Sequence, residues 1–415
     1  MKNEKNNYDL IVVGAGPAGM MAAIVAAQKK QRVLLLEKLP HIATKLKATG
    51  GGRCNLTNTL DKEQFMAHFG RDGRFMREAL EAFFSKELRT FLESLGVETH
   101  APDGFRVFPS NHKSTTIIDA MQKEMEKLGI YIICKQKVTK ILIKEGSIEG
   151  VETEEDTFFS PRLVLATGGM GYPQLGAEGD GYPMVEALGH TTTPLYPAMM
   201  PLKVKESWVG ECRADTLAKV EMKVALKKYK KLSAKGDLIF TKGGIRGPVV
   251  LDFSREITPL LEKFQEVPLL ANFTKGMNEE QIRQHFKTKL AKDATYNTTL
   301  RLVESLLPHS VALALCHLAE VEPDLTLSRQ KGKHRERLYQ LLAWTPLTVV
   351  GHDGFKMAMI TRGGIRLNEV NPHTMESKKI KGLFFCGEIL NIDGPCGGYN
   401  LQWSFSSGYV AGEKS

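Results

Sequence analysis

The chain opens on a continuous apolar run at residues 8–13, Tyr-Asp-Leu-Ile-Val-Val, with the length and character of a strand buried on both faces. Gly14-Ala-Gly-Pro-Ala-Gly19 follows, then small residues with helical character to about residue 29. A second apolar run, 32–37, ends in Glu37. This order predicts strand, tight turn, helix and parallel strand. Residues 38–58 break the pattern as a polar, glycine-rich loop. Helical periods resume at 74–95 and 115–128, with a short strand at 105–108 between them. From 130 the pattern becomes β, with strands predicted at 131–134, 137–144, 147–152 and 162–166. The last of these runs into Thr167-Gly168-Gly169, and Glu178-Gly-Asp-Gly-Tyr182 introduces a helix to 188.

Past residue 190 short strands are predicted at 203–209, 218–226, 237–240, 249–253 and 267–273. A mostly helical stretch, 277–343, follows with segments at 279–290, 298–307 and 311–320. Strand character returns at 347–350, 355–360 and 382–386. Gly387-Glu388, a glycine-rich turn at 394–398 and a helix at 401–411 close the chain. Strand-then-glycine at both ends predicts a nucleotide domain, 1–190 with 361–415, interrupted by an insertion. The insertion divides into a β-rich part, 191–275 with 344–360, and a helical subdomain, 276–343.

Each residue of the first turn has a physical task in dinucleotide binding. Gly14 permits the sharp bend, Gly16 lets backbone approach a pyrophosphate, and Gly19 lets helix pack closely on strand. The helix N-terminus presents free N–H groups and its positive dipole end to a diphosphate. Glu37, 23 positions after Gly14, stands where an acid binds the hydroxyls of an adenosine ribose. The uncharged stretch 10–27 reaches 18 residues, near membrane-span length. Its three glycines and Pro17 make it a strand, turn and helix instead.

Composition narrows the chemistry. The chain has 415 residues, 42% hydrophobic and 25% charged, as in a globular protein of two or three domains. Six cysteines with no CxxC, and no secretory leader, predict a reducing cytoplasm and exclude dithiol chemistry. Cys54 reads as a packed thiol, and His112, His190 and His352 as structural or exposed side chains. No metal-ligand spacing occurs, so no metal is expected. The doublets Gly243-Gly244 and Gly363-Gly364 lack strand-turn-helix flanks, so no second dinucleotide fold is expected. The net charge of +9 includes six lysines in 223–235 and the run RQKGKHRER at 329–337. These read as solvated faces, with nucleic acid a minor alternative because Tyr229 is the one aromatic in either run.

Five strings together resemble one family in order and spacing. They are Gly14-x-Gly-x-x-Gly19, the Gly50-Gly-Gly-Arg-Cys-Asn-Leu-Thr-Asn58 loop, Ala166-Thr-Gly-Gly169, Thr374-Met-Glu-Ser-Lys378, and Gly387-Glu through Asp393-Gly to Gly397-Gly-Tyr-Asn-Leu-Gln-Trp403. The family is the BaiN/RdsA-type, aminoacetone-oxidase-like group of bacterial NAD(P)/FAD-dependent oxidoreductases. The resemblance implies an α/β fold: a split Rossmann-like FAD-binding domain of the glutathione-reductase/fumarate-reductase type, with an inserted β-barrel-like domain and a small helical domain. It places Gly14, Gly16, Pro17, Ala18 and Gly19 at the FAD pyrophosphate, and Glu37 and Lys38 at the adenosine end. Lys45, Gly51, Gly52, Arg53, Cys54 and Asn55 fall near the flavin or pyrophosphate, and Val138 beside the adenine. Ala166, Thr167, Gly168 and Gly169 close over the nucleotide. Gly387, Glu388 and Asp393 fall near ribityl and phosphate, with Gly397, Gly398, Tyr399, Asn400 and Leu401 bringing a helix start to the pyrimidine ring. Lys45 and Arg53 are the catalytic candidates.

The implied activity is hydride transfer between flavin and a small organic substrate: NAD(P)H-linked reduction of a conjugated double bond, or oxygen-dependent oxidation of a small amine such as aminoacetone. An RNA-modifying flavoenzyme and a non-catalytic flavin-binding regulator are the readings of other classes. No membrane partner is expected.

Overall fold

The computed structural model describes residues 6–415. The chain divides into two compact units, Met1–Pro197 with Ala358–Ser415, and Ala198–Met357.

The first unit is built on a five-stranded parallel sheet, in the order Leu383–Phe385, Leu163–Leu165, Leu10–Val13, Val33–Glu37, Tyr131–Cys134. The three central strands and the C-terminal one are apolar nearly throughout and buried on both faces, as a covered parallel sheet requires. Leu163 pairs with both Ile11 and Leu383, so the chain's last strand completes a sheet that its first strand began. A three-stranded antiparallel meander, Val138–Lys144, Ser147–Thr153 and Thr157–Phe159, lies within this unit.

The first helix, Pro17–Gln28, is buried from Ala18 to Ala27. Its small side chains are needed because the last helix, Tyr399–Lys414, crosses it at very short range. A Cβ at Gly408 would sit 2.3 Å from the Ala18 carbonyl oxygen, and one at Gly412 would sit 2.3 Å from that of Ala22. The uncharged stretch 10–27 is therefore a strand and a buried helix, and no described helix is long and apolar enough to cross a membrane.

The second unit contains the barrel. Six antiparallel strands close in the order Leu202–Val204, Gly244–Arg246, Ser233–Thr241, Thr216–Val224, Val267–Asn272, Thr345–Gly351. The helices Glu279–Lys292, Thr299–Glu304, His309–Leu318 and Gly332–Ala343 share one buried core with it.

Three expected strands differ. Residues 249–253 belong to the helix Pro248–Phe264. Val249, Val250, Phe253, Ile257, Leu260 and Leu261 are all buried and recur at three- and four-residue spacing, a helical period that a five-residue window cannot show. The strand expected at 203–209 ends at Val204, and Ser207–Gly210 is a single turn of 3₁₀ helix. In 355–360 the first residues form another such turn, Gly354–Lys356, and the strand is Ile360–Arg362. The final helix starts at Tyr399, two residues before the expected position.

Candidate cofactor and active site

Gly14 has φ +100°, and a Cβ there would lie 2.5 Å from the Ala166 carbonyl oxygen. The turn and the end of the Leu163–Leu165 strand are therefore in backbone contact, with Thr167 alongside. A Cβ on Gly19 would meet the Gly14 oxygen at 1.9 Å, which fixes the helix on its strand. Gly16 is different: nothing lies within 4 Å of its missing Cβ. The helix behind it has Pro17 in its first turn, no side-chain cap and no acid there. No side-chain acceptor caps its first N–H groups, which leaves them available to an anion.

Glu37 lies under this turn, one carboxylate oxygen accepting from the Ala15 N–H and the other from the Leu39 N–H, both at 2.9 Å. Lys38 pairs with Glu178 at 2.6 Å and also with Asp180, and Lys137 reaches Asp180 at 3.0 Å. Burial works against the Asp180 carboxylate, but the two lysines hold its carboxyl below the usual range. Val138 starts its strand beside Lys137 and is buried. Asp180 and Lys137 are members of the Glu37 edge that sequence reasoning missed. The Glu178-Gly-Asp-Gly string was their signal, read there as the start of a helix alone.

The loop 44–58 contains a short helix, Thr44–Ala48, then Gly50, Gly51 and Gly52 with φ +59°, +67° and +87°. Nothing lies within 4 Å of a Cβ on Gly51 or Gly52. Arg53 is exposed, donates from Nε to the Gly50 carbonyl at 3.1 Å and lies 5.7 Å from the Phe108 ring centre. Cys54 is fully buried, and burial pushes its thiol up to about 12, so it stays protonated. Asn55, its amide orientation assigned from its partners, accepts from the Gly398 N–H at 3.0 Å and donates to the Thr57 carbonyl at 3.1 Å. Asn58 donates to the Gly397 carbonyl at 2.9 Å. The two most distinctive motifs of the chain are thus stitched together by side-chain amides.

The helix Tyr399–Lys414 starts at Gly398, φ +84°, which donates its N–H to Asn55 and packs so closely on Thr57 that a Cβ there would lie 2.4 Å from the Thr57 carbonyl oxygen. Asn400 closes the preceding loop on Gly394, accepting at 2.7 Å and donating at 2.9 Å. Tyr399 is a packing residue, its ring 4.9 Å from Phe65 and 4.8 Å from His68, and Leu401 packs against the same core.

Glu388 joins four segments. It accepts from Lys45 Nζ at 2.9 Å and from the Thr361 N–H at 2.8 Å. The Thr361 hydroxyl accepts from the Met170 N–H at 2.7 Å, and a Cβ on Gly169 would lie 2.7 Å from the Glu388 carboxylate. The neighbouring Gly387 donates to Ser407 Oγ at 2.9 Å and accepts from Trp403 Nε1 at 3.3 Å. Asp393 faces Arg362 at 3.8 Å.

These residues fit a bound FAD. The hydroxyls of Thr167 and Tyr182 are buried without a partner beside this cradle, and buried polar groups rarely stay so. A Cβ at Gly16, Gly51, Gly52 or Gly168 would point into open space. The uncapped N-terminus of Pro17–Gln28 and the carboxylates of Glu37 and Glu388 supply donors and acceptors of the kind that a dinucleotide with sugar hydroxyls needs. Among the described residues no group of three His, Cys, Asp or Glu could hold a metal ion, and all six cysteines are free.

The fold and this cradle define a flavoprotein of the Rossmann class. The profile of the HI0933-like protein Rossmann domain matches residues 8–414, and the chain belongs to that family, the BaiN/RdsA-type FAD-dependent oxidoreductases. It is 32% identical over 407 residues to the 3-dehydro-bile acid delta(4,6)-reductase of Clostridium scindens, covering 97% of each chain. It is 28% identical over 407 residues to the ribosomal RNA dihydrouridine synthase of Escherichia coli, covering 98% of this chain and 97% of that one. Among solved structures, the 3-ketosteroid-delta4-(5alpha)-dehydrogenase of Rhodococcus jostii RHA1 superposes with a TM-score of 0.52 at 17% identity, covering 100% of this chain and 98% of that one. That last likeness is one of fold.

Proposed function

We propose that the protein is an NAD(P)H-linked reductase of a carbon–carbon double bond conjugated to a carbonyl group. The observation that carries this reading is the full-length match to two relatives whose names denote one chemistry. A 3-oxo steroid with a Δ4 double bond is an alkene conjugated to a ketone. Dihydrouridine is uridine whose C5–C6 bond, conjugated to the C4 carbonyl, has been saturated. Conjugate reduction of such a bond adds hydride to the β-carbon and a proton to the α-carbon.

FAD, when bound, supplies the two-electron hydride store. The remaining tasks fall to this chain's residues. The Gly14–Gly19 turn and the open N-terminus of Pro17–Gln28 take the diphosphate, and Glu37 takes the adenosine ribose. The Gly50–Asn55 loop and the start of Tyr399–Lys414 hold the ring end, where a positive helix terminus favours negative charge. Lys45, anchored by Glu388, and Arg53, exposed on the same loop, are the cations we assign to the substrate carbonyl. That oxygen gathers negative charge as hydride reaches the β-carbon, and a fixed cation stabilises it. The protonated, buried Cys54 supports direct transfer without a thiol relay.

An anaerobic absorbance titration tests the reading. NADH or NADPH should bleach the flavin, and a 3-oxo-4-ene steroid or a uridine-containing RNA should restore the oxidised spectrum. A flavin that neither donor bleaches, but that aminoacetone reduces with peroxide formed in air, would replace the proposal with the oxidase reading.

A further inference from the structure

The strands Thr216–Val224 and Ser233–Thr241 of the barrel are joined by a tip, 225–232, that carries Lys227, Lys228, Lys230 and Lys231. All four are exposed, and none forms an ion pair with a described carboxylate. The neighbouring acids are engaged elsewhere: Glu221 with Lys235 at 2.9 Å and Glu266 with Lys205 at 3.0 Å. Read along the sequence, this run has one aromatic, Tyr229. The fold adds a second. Phe264, the last residue of the helix Pro248–Phe264, comes to the tip with its ring edge-on to Tyr229 at 5.9 Å and remains 40% exposed. Lys263 brings a fifth cation, its ammonium 5.2 Å from the Phe264 ring centre and 3.5 Å from the Tyr229 hydroxyl. Glu262 beside it is exposed, so one negative charge faces five positive.

We infer that this barrel tip is an RNA-docking surface, in which the lysines engage phosphates and the Phe264 face stacks on an unpaired base. The lysines supply the sequence-independent term, which grows with each phosphate neutralised. Phe264 supplies the element that solvated charge alone lacks, an exposed π-face braced by Tyr229 and ringed by cations. One exposed aromatic among five lysines suits a polyanion with bases better than a bilayer, whose interfacial binders bury a broad apolar face. The inference concerns docking and stands whether the reduced double bond belongs to a nucleobase or to a small enone.

The test uses the full-length holoenzyme and two fluorescein-labelled probes, a 20-mer oligouridylate and a duplex RNA of equal length, read by anisotropy across a salt series. Lys227→Ala, Lys228→Ala, Lys230→Ala and Lys231→Ala combined should weaken both probes. They should also lower the slope of log K against log salt by about 3 on the single strand, at ~0.7 per phosphate contact. Phe264→Ala should weaken the oligouridylate by about 5- to 150-fold, the equivalent of ~1–3 kcal/mol per stacked base. It should leave the duplex nearly unchanged. Flavin content and NAD(P)H bleaching report that each variant is intact, and they are expected to match the parent. An unchanged salt slope in the quadruple variant overturns the proposal. So does a parent protein that binds no RNA, including one that instead sediments with phosphatidylserine vesicles.

Discussion

Gly408→Ala sets two physical effects against each other at the crossing of the first and last helices. A Cβ at this position would lie 2.3 Å from the Ala18 oxygen, against 3.4 Å for ordinary contact, so the helices must separate by 3.4 − 2.3 = 1.1 Å. Overpacking a close-packed seam costs about 1–3 kcal/mol. Alanine returns about 1 kcal/mol over glycine inside a helix. The middle of the first range less the second leaves a net loss of about 1 kcal/mol, or roughly 2 °C in Tm for a unit of this size. The larger consequence is for FAD, because Ala18 lies in the first turn of the helix to whose N-terminus the diphosphate is assigned in the proposed function. Its Cβ also lies 2.9 Å from where a Cβ on Gly387 would stand, so a displaced seam moves both halves of the cradle. Loss of one charge-assisted hydrogen bond corresponds to a dissociation constant at least ~10-fold higher. Flavin fluorescence quenching on the FAD-free protein measures the affinity, and thermal unfolding with and without FAD measures the stability. A variant with a higher Tm and unchanged FAD affinity would refute the reasoning, since helix propensity alone predicts that result.

Gly16→Glu should fold, because its Cβ points into open space, yet purify without yellow colour, because its side chain and charge occupy the diphosphate approach; a yellow variant would move the site. Glu37→Ala removes the acceptor of two backbone N–H groups and should weaken FAD by on the order of 1–3 kcal/mol, the scale of a hydrogen bond to a charged group. Unchanged affinity would place the adenosine elsewhere. His190 is buried between Glu369, 3.0 Å from Nδ1, and Ser377, 2.9 Å from Nε2, and burial holds its imidazole below the ordinary 6.5. The unfolded chain therefore binds the extra proton first, so stability from this site is complete above pH ~6.5 and falls as the pH drops through that value. Glu369, held down to about 2 by Lys379, Thr191 and His190 against the opposing effect of burial, loses its contribution only below about pH 4.5, so the windows are separate. Thermal unfolding from pH 8 to 5 should show the loss in the parent and not in His190→Gln, and matching profiles would count against it.

Much of the cradle was legible because its constraints are local. Gly14 needs a positive φ, Gly19 needs to lack a Cβ, and Glu37 must end the second strand; each is a rule about neighbours a few residues apart. The doubly covered strands were readable for the same reason, since LIVV and VLLLE can be buried on both faces and in few other ways. Local reading failed where a short window held two meanings. Val249 to Phe253 satisfies a strand over five residues and a helix over seventeen, and packing onto the barrel core decided for the helix.

What the sequence by itself determined is the class of this protein: a dinucleotide turn, a split nucleotide fold and the family's five strings. Only the tertiary structure decided which side chains meet. Lys45 reaches Glu388, Asn55 and Asn58 reach the Gly397–Gly398 turn, Asp180 reaches Lys38, and Phe264 arrives beside the lysine tip. No periodicity encodes such pairs, because a backbone constraint is imposed by immediate neighbours, whereas a side-chain contact depends on how whole strands and helices pack.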